Sequence, residues 1–316
     1  MRRDPPVPAP GGEPLNRTIA LVGAPTSIGI KPYDDGTQRR LDLGPAVLRE
    51  QGLVDRLGAR DLGDVLPPPY VDFVRPPGKP RNETGVAHYS RSLADRVRAA
   101  REDDGFVLVL GGDCSIVLGA LLGARPPAGR VGLVYIDAHG DFATPETSRT
   151  GSVASMCLAL AVGRGDSPLA RLAPGGPLVR PEDLVVIGRR DDGGDFYYGQ
   201  DVLRAGPMLD LPNDAVRASG VPAAAAAALE RLAASQVDGF WIHVDADVID
   251  PSVMPAVDSP EPDGLLLDDL AGLLAPMVDH PKALGLELTI YDPKLDPDRS
   301  CAARLAQVLE RVLKGL

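Results

Sequence analysis

Short, wholly apolar runs alternate along the chain with longer segments of helical spacing. Residues 18–23, 106–110, 131–136, 184–188, 240–244 and 284–290 are apolar almost throughout, as in strands buried on both faces of a parallel sheet. Between them, residues 84–102 set Ala87, Leu93, Val97 and Ala100 roughly at helical spacing, and 45–57, 116–122, 153–162, 222–235, 267–277 and 302–313 also read as helices. Pro45 suits the first turn of its helix. Residues 61–65 read as an edge strand, and the segments 66–83 and 142–151, broken by Pro67-Pro68-Pro69 and by Thr, Ser and Pro, as loops. This alternation predicts an α/β fold, a three-layer α/β/α arrangement around a mostly parallel central sheet. Residues 1–17, rich in Pro and Gly and without periodicity, predict a flexible N-terminal tail. Residues 18–316 read as a single domain without an internal repeat.

Composition narrows the function. The 316 residues carry a net charge of −11 with no Lys/Arg stripe, which argues against nucleic acid or an anionic membrane as a partner and leaves a small molecule. No apolar run reaches the roughly 20 residues that span a bilayer. The start, Met1-Arg2-Arg3-Asp4-Pro5-Pro6, lacks the apolar stretch of a secretory signal. Three cysteines without framework spacing predict free thiols in a reducing, cytoplasmic compartment. Aromatics make up only 4% of the chain, so the core must be built from Ala, Val and Leu.

The chemistry gathers at two strand ends. Val134-Tyr135-Ile136 runs into Asp137-Ala138-His139-Gly140-Asp141, and His243-Val244-Asp245-Ala246-Asp247 repeats the alternation about a hundred residues later. A spacing of two at a strand end turns Asp137, His139 and Asp141 to one side, and likewise His243, Asp245 and Asp247. Carboxylates mixed with imidazole suit manganese, iron, cobalt or zinc better than calcium, which prefers an all-oxygen shell. In parallel α/β sheets ligands bind beyond the carboxyl ends of the strands, where both clusters fall.

Three ordered motifs carry a resemblance. Gly111-Gly112-Asp113-Cys114-Ser115, Asp137-Ala138-His139-Gly140-Asp141 and Asp245-Ala246-Asp247-Val248-Ile249-Asp250-Pro251 resemble the signatures of the ureohydrolases, which include arginase, agmatinase, guanidinobutyrase and formimidoylglutamase. Gly23-Ala24-Pro25 and Gly44-Pro45-Ala46-Val47-Leu48-Arg49 are similar to that family's first strand and helix, so the likeness covers roughly residues 18–313. It implies an arginase-like fold, a binuclear manganese centre and hydrolysis of a guanidino or amidino C–N bond by a metal-bridging hydroxide. It also implies a homo-oligomer, trimeric or hexameric. By the resemblance, Asp137 and Asp245 bridge the metals, His139 and Asp247 complete one shell and Asp141 the other. Asp141 doubles as the group that passes a proton to the leaving nitrogen. Asp250 reads as structural, shaping its loop.

The chain departs from the family pattern at informative places. Cys114 replaces the histidine ligand of the first motif. A thiolate there would favour zinc, iron or cobalt over manganese; a thiol that keeps its proton would leave that metal weakly held. Some relatives acting on hydroxyarginine resemble this chain in carrying Cys here. The family's proton-shuttling histidine falls at Ala154, and the carboxylate that grips the guanidinium falls at Ile290. Glu287, three residues before Ile290, should face the other way. Ala143, Ser152 and Gly193 stand where arginase contacts the amino-acid end of its substrate, so arginine is not the expected substrate. His243 is the one visible compensation: a replacement shuttle, a partner of the metal ligands, or simply a hydrogen-bonded strand-end histidine. His88 and His280 read as surface residues, Cys157 and Cys301 as core or boundary ones. Two functions follow: a binuclear-metal hydrolase of a guanidino or amidino compound other than arginine, or a non-catalytic relative serving as partner subunit or ligand binder.

Overall fold

The apolar runs become strands because each is long enough to cross a sheet and has no polar face to keep wet. The structure, a computed structural model, describes residues 17–71, 74–102, 105–126, 129–191, 199–314 and 316. Residues 1–16 of the expected tail and Gly193 lie outside the described residues. Arg17 is anchored, its backbone N–H donating to the Leu316 carbonyl.

Eight strands form one sheet: β1 (Ile19–Gly23), β2 (Arg60–Asp64), β3 (Phe106–Leu110), β4 (Val131–Ile136), β5 (Leu184–Ile187), β6 (Leu209–Leu211), β7 (Gly239–Asp245) and β8 (Ala283–Thr289). Their order is β2-β1-β3-β8-β7-β4-β5-β6, with every pairing parallel. The interior strands β1, β3, β4, β5 and β7 are buried along their whole length. The edge strand β2 is largely exposed, which explains its polar sequence Arg-Asp-Leu-Gly-Asp.

The helices fall into two sets. Glu83–Arg101, Ile116–Ala124 and Cys157–Ala161 pack in sequence on one another; Gly44–Glu50, Leu53–Leu57, Ser300–Leu313, Leu267–Val278 and Val221–Ala234 make the second set. One helix from each set touches the central strand β8. The layers arise because each helix has one apolar stripe to bury: Val86, Leu93, Val97 and Ala100 along Glu83–Arg101, and Leu305, Leu309 and Val312 along Ser300–Leu313. The chain reverses order between β3 and β4, so β7 and β8 separate them in the sheet. The loops after β3, β4 and β7 therefore open around one crevice.

Residues expected at 153–162 as one helix form a 3-10 turn, Ala154–Met156, followed by the helix Cys157–Ala161. The helix Gln200–Ala205, strand β6 and helix Asn213–Ser219 lie in a stretch whose sequence shows no clear period.

Candidate metal centre

Each donor is held by the backbone of its own strand end. After β3 the chain turns through Gly111 and Gly112. A Cβ on Gly112 would stand 1.8 Å from the Thr26 carbonyl oxygen, so only glycine permits this approach. Buried Asp113 then clamps the turn, accepting from the backbone N–H of Gly29 at 3.1 Å and of Ser115 at 3.0 Å. Cys114 is thereby aimed at β7, where its Sγ donates to Asp245 Oδ2 at 2.9 Å and lies 3.5 Å from Thr289 Oγ1.

The two acidic motifs repeat one local device. Asp137 Oδ1 accepts from the His139 N–H at 2.7 Å, and Asp245 Oδ1 from the Asp247 N–H at 2.8 Å. One oxygen of each carboxylate thus closes a turn, leaving the other to face the crevice. Asp247 ties the motifs together, accepting from the Ala138 N–H at 3.2 Å and lying 3.0 Å from His139 Nδ1. Asp141 takes the left-handed conformation, φ 45°, and its Oδ2 accepts from the Tyr135 hydroxyl at 2.6 Å. Cys157 Sγ lies 3.7 Å from the same oxygen.

These contacts produce two overlapping donor groups. One ligand atom each from Cys114, Asp137, His243 and Asp245 lie within 4.8 Å of one another, and so do atoms from Asp137, His139 and Asp247. Asp137 belongs to both. Asp141 stands in neither group but borders the pocket of about 230 Å³ that opens onto them. Cys114, His139, Asp245 and Asp247 also line that pocket, with Lys31, Arg39, Arg149, Ala154 and Ile290 among its walls. His243 is fully buried and does not line it.

The electrostatics show what the donors lack. Burial, reinforced by Asp247, pushes the Asp137 carboxyl up to about 6. Burial and neighbouring carboxylates likewise hold Asp141 and Asp245 well above the usual carboxylate range, and burial with Asp245 raises the Cys114 thiol. Burial disfavours a charged His139, but Asp247 and Asp137 outweigh it and hold the ring well above the ordinary imidazole range. Asp247, although buried, is kept below its usual range by His139. Asp137 Oδ2 is buried without a hydrogen-bond partner. Crowded carboxylates and an orphaned buried oxygen are the signature of a cation site, so the residues fit divalent metals.

A carboxyl raised from 3.8 to about 6 binds its proton more tightly in the native than in the unfolded chain, so stability is lost as pH rises through that window. In metal-stripped protein the stability of wild type relative to Asp137→Asn should fall as pH rises from about 4 to about 6. Thermal unfolding across that range checks this; a flat difference would contradict the burial of a strained charge. Metal reverses the trend, because ligands must shed their protons to bind it.

The surrounding loops are pinned by Asp250 and by two arginines that no sequence pattern singled out. Buried Arg189 holds Asp210 through a fork of 2.8 and 2.6 Å. Arg190 donates to the carbonyls of Asp247 and Glu261, each at 2.8 Å, securing the loop beyond β7. Asp250 accepts from the Ser252 and Gly264 N–H groups at 2.9 and 3.0 Å, the loop-shaping role expected of it. His88 is exposed, while Cys157 and Cys301 are buried. His280 is partly buried, tilted over the Phe240 ring at 5.4 Å.

The Arginase family model matches residues 17–314. The chain belongs to the arginase family. Its members are hydrolases of guanidino and amidino C–N bonds. The arginase of Bacillus subtilis (strain 168) is 28% identical over 306 residues, which cover 95% of this chain and 98% of that protein. The arginase of Bacillus caldovelox is 30% identical over 308 residues, with the same shares covered. The native structure of the B. caldovelox arginase superposes with a TM-score of 0.84 at 28% identity, covering 94% of this chain and 98% of that one. The family thus confirms the ureohydrolase resemblance and the α/β fold read from the motifs. Among the described residues no helix is long and apolar enough to cross a membrane.

Proposed function

We propose that this arginase-family chain is a binuclear-metal hydrolase that cleaves a C–N bond in a small guanidino or amidino compound other than arginine. The observation that carries the proposal is the convergence of buried Cys114, Asp137, His139, Asp245 and Asp247 from three strand ends into two donor groups that share Asp137, the other four of these residues lining one pocket. Asp137 and Asp245 would be shared between two ions, His139 and Asp247 would hold one, and Cys114 with Asp141 the other. Two divalent cations held there would lower the pKa of a shared water to near neutrality and polarise the amidine. Manganese is the family's usual metal, and the thiol of Cys114 shifts preference towards zinc, iron or cobalt.

The remaining work falls to the chain. Asp141 borders the pocket with Oδ2 held by Tyr135, a position from which it can carry a proton to the departing nitrogen. The raised affinity of Asp141 for a proton, from burial and then Asp137, suits a group that must hold one and release it.

The substrate end is altered rather than missing. Ala154 and Ile290 line the pocket where the resemblance expects a histidine and a carboxylate, so the site has no charged grip there for a guanidinium. Lys31, Arg39 and Arg149 contribute positive side chains to the wall, with Arg39 paired to Asp258. Metal-loaded protein offered a panel of guanidino, amidino and hydroxyguanidino compounds should release urea, hydroxyurea, or ammonia with the corresponding amide from at least one member, with arginine among the poorest. No product from any member would favour the non-catalytic reading, which the replacements at Ala154 and Ile290 would then explain.

A further inference from the structure

His243 and Glu287 form a buried pair directly beneath the donor cluster, and the family's ligand scheme has no use for it. The register of β4, β7 and β8 sets Tyr135, His243 and Glu287 side by side across three adjacent strands. The Tyr135 and His243 rings stack at 4.2 Å with 2° between their planes. His243 Nδ1 lies 2.7 Å from Glu287 Oε1. All three side chains are fully buried.

With Nδ1–H donating to the carboxylate, Nε2 carries a lone pair. Nε2 is buried and has no partner, and the same holds for Asp137 Oδ2. A histidine whose far nitrogen merely filled space would leave a polar atom dry in the core, a cost that buried groups rarely bear. Two unpartnered electron-pair donors within a ligand set that also includes Cys114 and Asp245 have a simple common partner, a cation.

We propose that His243 is itself a metal ligand, its Nε2 joining Cys114, Asp137 and Asp245 around one ion, with Glu287 as the positioning residue that fixes the ring. This rests on the reading of the cluster as a metal centre. A carboxylate that accepts from the far nitrogen of a ligating imidazole is the usual device for orienting such a ligand and raising its basicity. With Asp141, which stands outside that donor group, left to handle the proton rather than the ion, the resulting set of one sulfur, one nitrogen and two carboxylates suits tetrahedral zinc or cobalt and disfavours manganese. The histidine lost at Cys114 is thus regained from the strand below, and the tyrosine that stacks on it also holds Asp141.

The chain has only four histidines, so the wild-type protein labelled with 15N in its histidine rings can be titrated with zinc and read directly by NMR. The proposal expects two rings, those of His139 and His243, to move to metal-bound positions. The His243 signal is the one absent from His243→Gln. That variant should bind one of two zinc equivalents at least about 10-fold more weakly and the other unchanged, and Glu287→Gln should weaken the same equivalent about 10- to 100-fold. Should His243→Gln not fold, Glu287→Gln assigns the ring through the displaced Nδ1–H resonance. Two zinc ions bound with only one ring responding would overturn this inference and leave the hydrolase reading standing. No zinc bound at all would overturn both.

Discussion

Asp137→Asn and Asp245→Asn should each strip metal from the protein and cut turnover by more than about 100-fold, beyond the loss typical of groups that only support a ligand. In both residues Oδ1 closes a turn onto a backbone N–H, at 2.7 and 2.8 Å, and an asparagine oxygen can keep that bond. What the substitution removes is the negative charge of the oxygen facing the crevice. Without metal the cluster repels itself, as the raised carboxyls of Asp137, Asp141 and Asp245 show. Deleting one charge should therefore leave the melting temperature of metal-stripped protein unchanged or higher. Metal content, activity and unfolding measured on the same samples separate a lost ligand from a lost fold. Unchanged metal content in either variant would remove these residues from the site.

Ile290→Glu should raise kcat/KM for guanidinium cations relative to neutral amides by about 10- to 100-fold, the worth of one charge-assisted hydrogen bond. Ile290 is buried against the pocket and follows β8, its N–H donating to the Gly112 carbonyl at 2.8 Å. It sits at φ 67°, a conformation that costs a β-branched residue roughly 1–3 kcal/mol. Among the described residues that line the pocket, Asp141 and Ile290 are the non-glycine positions with positive φ. Glutamate is less strained at position 290 than isoleucine, so the variant should not lose stability through its backbone. Steady-state kinetics on paired cationic and neutral substrates provide the test. An unchanged ratio would mean that position 290 does not face the cationic end of the substrate.

The sheet was legible because its strands are buried on both faces: Phe-Val-Leu-Val-Leu at 106–110 has no polar residue to compete for another conformation. The edge strand β2 was legible from its place after a helix and its polar residues. β6 was not, since Leu209-Asp210-Leu211 is too short to show a period. Ligand candidates could be read because a spacing of two at a strand end is a local property. The His243–Glu287 pair could not. It joins residues 44 apart in sequence and depends on β7 lying beside β8, an adjacency that no local pattern encodes. The same holds for Tyr135, which looked like one more apolar strand residue until its hydroxyl was found on Asp141. Glu287 stays out of the pocket that Ile290 lines, but it shares a face with His243 and reaches that ring instead of turning away from the cluster as alternation suggested.

The hydrolase reading requires that the cluster hold two metal ions. Purified protein dialysed against manganese, zinc, iron and cobalt in turn, with bound metal counted per chain, tests it most directly. Two equivalents are expected with at least one of these ions, and tighter retention of zinc or cobalt than of manganese. A chain that retains none of them would contradict it.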